Sequence, residues 1–191
     1  MGPVGDGPER TGHDHPARGR TSMKETDSRY KKTYPVSWSQ LHNDCRALAW
    51  RLLELRTDWE RIIAIARGGL VPAAIIAREL DIHFIDTVCV SSYTVRAQGG
   101  FRVIKNVAGD SESTLIIDDL VDTGKTARIV REMLPLSHFA TVYAKPDGRP
   151  LTDTYVTEVS QETWILFPWD SEPQYQYIDP IADLSRNGRK G

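Results

Sequence analysis

The amino-acid sequence predicts an α/β protein whose central, mainly parallel sheet is flanked by helices. Two observations carry this expectation. Strand-length apolar runs alternate with helix-period segments from residue 37 to residue 144, and charged or glycine-rich residues stand directly after three of the strands. Alternating strands and helices imply parallel strands with helices packed on the sheet faces, and ligands in such folds sit beyond the carboxyl ends of the strands.

Taken in order, residues 1 to about 30 are rich in Gly, Pro, Arg, Asp and Thr, and only Ala17 is apolar between Val4 and Met23. They cannot bury enough surface to order themselves, so a disordered N-terminal extension over 1–30 is expected, with His13 and His15 solvated and Met23 a candidate internal start. The compact domain is expected over 31–170, with a C-terminal tail over 171–191. Ser37 caps a helix that carries Trp38, Leu41, Cys45, Leu48, Ala49, Leu52 and Leu53 at helical spacing. A buried strand over 62–66, a helix over 70–80 and a strand over 84–90 follow. Residues 93–110, with Gly99, Gly100 and Gly109 among polar side chains, have the composition of a loop long enough to act as a lid. A strand over 114–117, a helix over 123–134 and a strand over 138–144 complete the alternation.

The 191 residues suit one domain plus tail. With 26 acidic and 24 basic side chains the chain lacks the positive field of a general nucleic-acid binder, so nucleic acid is not an expected partner. The two cysteines, Cys45 and Cys89, lie far apart and form no metal or redox spacing, which fits a reducing, cytoplasmic interior. No apolar run approaches the ~20 residues that a membrane span needs, although that does not bar peripheral contact with a membrane surface.

The most informative segment is Leu115-Ile116-Ile117-Asp118-Asp119-Leu120-Val121-Asp122-Thr123-Gly124-Lys125-Thr126, a hydrophobic strand followed by two carboxylates, a short turn and a helix start. Unpaired amides at a helix N-terminus attract an anion and Gly124 lets backbone approach it, so Thr123, Gly124, Lys125 and Thr126 should cradle a phosphate. Asp118 and Asp119 would repel a phosphate and suit neutral hydroxyls or a hard cation such as magnesium. The competing reading is plain turn chemistry, with Asp122 or Thr123 capping the helix. A nucleotide P-loop is excluded by spacing: it needs a glycine five positions before Gly124, where Asp119 stands.

This segment resembles the phosphoribosyl pyrophosphate loop of type I phosphoribosyltransferases, whose pattern is an apolar strand, an acidic pair, two apolar residues and Asp-Thr-Gly-x-Thr. The similarity extends from about Tyr34 to Trp169 through Ile65-Ala66-Arg67-Gly68-Gly69-Leu70-Val71-Pro72, Asp86-Thr87-Val88-Cys89-Val90-Ser91-Ser92-Tyr93, Ala144-Lys145-Pro146-Asp147-Gly148-Arg149-Pro150 and Thr163-Trp164-Ile165. These segments resemble the bacterial xanthine-guanine members of the purine branch. The resemblance implies that fold, with a small hood and a flexible loop, and transfer of phosphoribosyl from phosphoribosyl pyrophosphate to N9 of xanthine, guanine or hypoxanthine with release of pyrophosphate. Magnesium and a homodimer or homotetramer are implied with it.

Residue by residue, the resemblance implies that Arg67 and Gly68 hold pyrophosphate at a non-proline cis peptide, and that Asp118 and Asp119 orient the ribose hydroxyls. It makes Asp119 the magnesium residue and Asp122 the acceptor of the purine's imidazole proton. Thr123 to Thr126 grip the terminal phosphate. Lys145 donates to the oxygen at purine position six, Trp164 stacks on the base, and Ile165 offers backbone groups to its position-two substituent. Read without the resemblance, Arg67 could be a surface salt bridge, Lys145 a solvated lysine and Trp164 a core residue. Tyr93 to Lys105 would form the mobile hood, where the chain departs from its relatives: Gly99 stands where a basic residue reaches pyrophosphate, leaving Arg96 or Arg102 to substitute. The stretch after Asp170, with Tyr175 and Tyr177, differs as well. A non-catalytic sensor of phosphoribosyl pyrophosphate or nucleotide on the same fold is the second reading, supported by Gly99 and opposed by intact Asp118, Asp119, Asp122 and Lys145. An orotate or adenine enzyme is the third, and Lys145 argues against adenine.

Overall fold

The computed structural model describes residues 30–95 and 98–170, with side chains described for 30–90 and 103–170. The expectations for the tails, for His13, His15, Met23, Tyr175 and Tyr177, for Arg96 and for the Arg102 side chain lie outside the described residues. The elements are β1 (Lys32–Pro35), α1 (Trp38–Leu55), β2 (Arg61–Ala66), α2 (Leu70–Glu79), β3 (Phe84–Val95), β4 (Gln98–Lys105), β5 (Thr114–Val121), α3 (Lys125–Met133), β6 (His138–Ala144), a 3-10 turn at Arg149–Leu151, β7 (Thr154–Glu158) and β8 (Thr163–Leu166).

A six-stranded sheet runs in the order β4-β3-β2-β5-β6-β7, parallel throughout except where β4 returns antiparallel along β3. Period-two alternation along β2 divides the core. Ile62 and Ala64 pack with Leu41, Leu48 and Leu52 of α1 and Ala73 and Ile76 of α2, while Ile63 and Ile65 pack with Ala127 and Val130 of α3. Helices therefore cover both faces, as the alternating pattern predicts. Helix α1 begins where expected, because the Ser37 hydroxyl accepts from the Gln40 amide at 3.1 Å. Among the described residues no helix is long and apolar enough to cross a membrane.

Three departures from the sequence expectation have physical causes. The lid loop over 93–110 is largely strand: β3 and β4 pair from Cys89↔Lys105 to Val95↔Gln98, and backbone pairing at a sheet edge does not require the apolar run that marks a buried strand. Strand β5 continues past Ile117 through the acidic pair, because β6 keeps pairing with it at Asp118↔Thr141, Leu120↔Tyr143 and Val121↔Ala144. Helix α3 starts at Lys125 rather than Thr123, since Gly124 takes a left-handed conformation at φ 73°. Composition alone also gave no sign of β7, which extends the sheet beside β6, or of the separate parallel pair β1–β8.

Thr141, on β6 beside Asp118, is fully buried, and among the described residues its Oγ1 is the buried side-chain polar atom without a hydrogen-bond partner. Replacing a buried, unsatisfied hydroxyl by a methyl of the same shape removes a desolvation cost of about 1 kcal/mol. Thr141→Val should therefore raise the melting temperature by about 2–4 °C in thermal unfolding. A lower value would mean that the hydroxyl is bonded.

Candidate active site

The carboxyl ends of β2, β5 and β6 open onto a cleft of about 1000 Å³, and the start of α3 closes a neighbouring cavity of about 230 Å³. The larger cleft is lined by Arg67, Gly68, Asp119, Asp122, Lys145, Trp164 and Ile165 among others, and the smaller by Asp118 and the run from Leu120 to Ala127. All twelve residues singled out from sequence thus line one cavity or the other, and Leu120 and Asp122 line both. Asp118 and Asp119 are divided between them, because neighbours on a strand point to opposite faces. The Ala66–Arg67 peptide is cis, and Arg67 is exposed at the rim.

The smaller cavity is shaped by the turn after β5. Gly124 precedes α3 with its φ of 73°, and a Cβ there would fall 2.5 Å from Leu151 Cδ1, so both conformation and space call for glycine. The amides that open α3 have no intrahelical acceptor, and the helix dipole adds positive potential. An anion of phosphate size suits this place.

Gly68 and Asp119 are in direct apposition: a Cβ on Gly68 would run into the Asp119 carboxylate. The loop after β2 and the acidic pair on β5 therefore pack as one unit. Burial, and then the Asp119 charge, push the Asp118 carboxyl well above its ordinary range, and burial pushes Asp119 up to about 6. The Asp119 amide donates to Asp118 Oδ1 at 3.0 Å. No group of three or more His, Cys, Asp or Glu side chains placed to hold a metal occurs among the described residues. A hard cation in the larger cleft would rest on Asp119 and complete its shell with oxygens of substrate and water, which is the way magnesium is commonly bound.

On the far side, Lys145 is 1% exposed, its Nζ lies 3.2 Å from Asp122 Oδ1, and its amide donates to the Val121 carbonyl at 3.0 Å. The solvated-lysine reading is thereby excluded: a buried ammonium needs such a partner. Trp164 is 42% exposed on β8 and faces the cleft, so it is no core residue, while Ile165 is buried beside it. Both residues belong to the separate parallel pair β1–β8, in register from Lys32↔Thr163 to Pro35↔Leu166, whereas the 93–105 segment belongs to the edge of the six-stranded sheet.

Two neighbours of Asp122 escaped the sequence reading. Gln161 donates from Nε2 to Asp122 Oδ1 at 2.8 Å. Tyr30, counted with the tail by composition, donates its phenol to Asp122 Oδ2 at 2.9 Å and sets its ring 5.1 Å from that of Trp164. A single Gln in a polar turn carries no periodic or motif signal; its one sequence clue is its place three residues before Trp164.

The model of the phosphoribosyl transferase domain family matches residues 37–176. The chain is 67% identical over 159 residues to a xanthine-guanine phosphoribosyltransferase of Nitratidesulfovibrio vulgaris, covering 83% of this chain and 96% of that protein. A protein of the same name from Chromohalobacter salexigens is 55% identical over the same shares of both chains. Among solved structures, a purine phosphoribosyltransferase from Pyrococcus horikoshii superposes with a TM-score of 0.65 at 30% identity, over 75% of this chain and 98% of that one. The chain belongs to the phosphoribosyltransferase family.

The acidic pair yields a stability prediction. A carboxyl whose folded pKa is raised holds its proton more tightly in the fold than in the unfolded chain, so stability is greatest at low pH and is lost as pH rises through the folded value. With ordinary carboxyls near pH 4, Asp119 at about 6 and Asp118 raised, the loss runs from about pH 4 to above pH 6. Asp118→Asn removes the buried charge, so its melting temperature should exceed that of the parent above pH 7 and converge with it near pH 4. A gain that is the same at every pH would exclude ionisation as the cause.

Proposed function

We propose that the chain is a purine-salvage phosphoribosyltransferase, a pentosyltransferase that moves phosphoribosyl from phosphoribosyl pyrophosphate to N9 of a six-oxopurine and releases pyrophosphate. The observation that carries this is the sharing of Asp122 between two cavities, one shaped for phosphate and one walled by Trp164 and the buried Lys145. A ribose bridging the two would place its anomeric carbon beside the acidic pair. A non-catalytic sensor is not favoured, because relatives at 55–67% identity carry the name of an enzyme.

In this reading the amides and hydroxyls of Thr123, Gly124, Lys125 and Thr126 hold the terminal phosphate. Arg67 and the backbone at Gly68 receive pyrophosphate at the cleft rim. Asp118 and Asp119 orient the ribose hydroxyls from opposite faces of β5. Asp119 would hold magnesium, which when bound offsets the charge of the departing pyrophosphate. As the sugar carbon becomes cation-like, the carboxylates around it stabilise the developing charge. Asp122 accepts the imidazole proton of the base as the new bond forms. Lys145, with only donors to offer, selects an oxygen at position six over an amino group. Trp164 supplies the stacking face, and the backbone at Ile165 meets the position-two substituent. The working form is a homodimer or homotetramer in the cytoplasm.

The test is pyrophosphate release from phosphoribosyl pyrophosphate and magnesium with xanthine, guanine and hypoxanthine in turn. Turnover is expected with at least one, and Asp122→Asn should lose about a hundredfold or more in kcat/KM for the base. Silence with all three bases would sink the assignment, and full activity in the variant would remove Asp122 from the chemistry.

A further inference from the structure

Gln161 lies behind the cleft rather than in it, yet it touches the residue on which the chemistry turns. It stands in the turn between β7 and β8, which is closed by the Thr163 amide donating to the Ser160 carbonyl at 3.0 Å and by a 2.7 Å contact between their hydroxyls. Its Oε1 accepts from the Asp147 amide at 3.0 Å. A backbone amide can only donate, so this bond fixes which end of the side-chain amide is oxygen and turns the NH₂ towards Asp122. That NH₂ reaches Asp122 Oδ1 at 2.8 Å, and Lys145 reaches the same oxygen at 3.2 Å. One oxygen is thus held twice from behind, while Oδ2 meets only the phenol of Tyr30 among the hydrogen bonds described.

We propose that Gln161 is a positioning residue that locks the Asp122 carboxylate through Oδ1, so that Oδ2 is presented to the base as the proton acceptor. The proposal rests on the reading of Asp122 as that acceptor. A donor on Oδ1 fixes the rotation of the carboxylate, and it leaves the catalytic lone pairs on the oxygen that faces the cleft. A purely structural alternative is that Gln161 matters only by bracing the Asp147 amide.

Three variants in the full chain separate these ideas, with kcat/KM for guanine and xanthine and KM for phosphoribosyl pyrophosphate as readouts. Gln161→Met keeps the length and loses the donor; it should lower kcat/KM for the base about tenfold or more while the KM for phosphoribosyl pyrophosphate stays within about twofold. Gln161→Glu still accepts from Asp147 but sets a carboxylate against Asp122, and it should fall below Gln161→Met. Adding Gln161→Met to Asp122→Asn should cost nothing further, because the two act as one unit. Near-parental activity in Gln161→Glu, or additive losses in the double variant, overturns the proposal in favour of bracing. Full activity in Asp122→Asn instead overturns the reading beneath it.

A separate observation concerns Tyr30. Its ring makes an edge contact with Trp164 at 5.1 Å and 62°, the Lys145 ammonium sits 4.5 Å from its centroid, and its phenol donates to Asp122. Those are the three side chains assigned to the base, so a purine that uses them needs the space Tyr30 fills. The neighbouring Lys31 anchors it, with its amide on the Glu162 carbonyl and its ammonium on the Glu162 carboxylate, each at 2.9 Å. We infer that Tyr30 occupies the base site as a built-in competitor and lowers affinity for the base in proportion to its occupancy. Titration calorimetry of the full chain with GMP and XMP, and with ribose 5-phosphate as control, tests this. Tyr30→Ala should tighten at least one nucleotide threefold or more and leave ribose 5-phosphate unchanged. Weaker or unaltered nucleotide binding would make Tyr30 a wall of the pocket rather than its occupant, and an equal change in ribose 5-phosphate would also overturn the inference.

Discussion

The carboxylate of Asp122 is held at the junction of two cavities, and the proposed chemistry depends on it. Its own backbone comes from the end of β5, yet its partners arrive from elsewhere: Lys145 after β6, Gln161 before β8, and Tyr30 ahead of β1. A carboxylate on a short turn has two free rotations, and only contacts from several directions can remove them. The parallel sheet makes this feasible, because the carboxyl ends of adjacent strands lie side by side and bring distant stretches of chain within hydrogen-bond reach.

That concentration of polar groups carries an energetic cost, visible in the acidic pair. Asp118 and Asp119 sit where the sheet would otherwise continue its apolar packing, and both hold protons more tightly than solvated carboxyls do. The rest of β5 offsets the cost with the buried Leu115, Ile116 and Ile117, which contact both layers of helices. Lys145 is buried too, but its charge is matched by Asp122 and its carbonyl is taken by the amides of Gly148 and Arg149. Strained charge and satisfied charge thus stand at neighbouring strand ends.

Much of this was legible from residue order because local chemistry and position coincide in β5 and α3. An apolar run ending in Asp118-Asp119, then Thr123-Gly124, marks both a strand terminus and an anion cradle without knowledge of anything distant. Arg67-Gly68 and Lys145 were legible for the same reason, each lying just past a buried strand. What escaped was whatever depends on pairing across the chain. Strand β4 opens on Gln98-Gly99-Gly100 and is strand through its bonding to β3. Strand β1 is exposed along most of its length and exists by its partnership with β8. Tyr30 and Gln161 act through contacts with Asp122 across 92 and 39 residues, a relation that no periodicity encodes.

The β1–β8 pair has a consequence for synthesis. It joins a strand that precedes all six strands of the main sheet with one that follows them. The residues of β2, β5 and α3 are all synthesised before Trp164 and Ile165 are added. In the proposed function, the wall for the base is therefore the last part of the site to be made, and a polypeptide cut short ahead of Thr163 would keep the elements proposed to grip a sugar phosphate while lacking the surface proposed to tell one heterocycle from another.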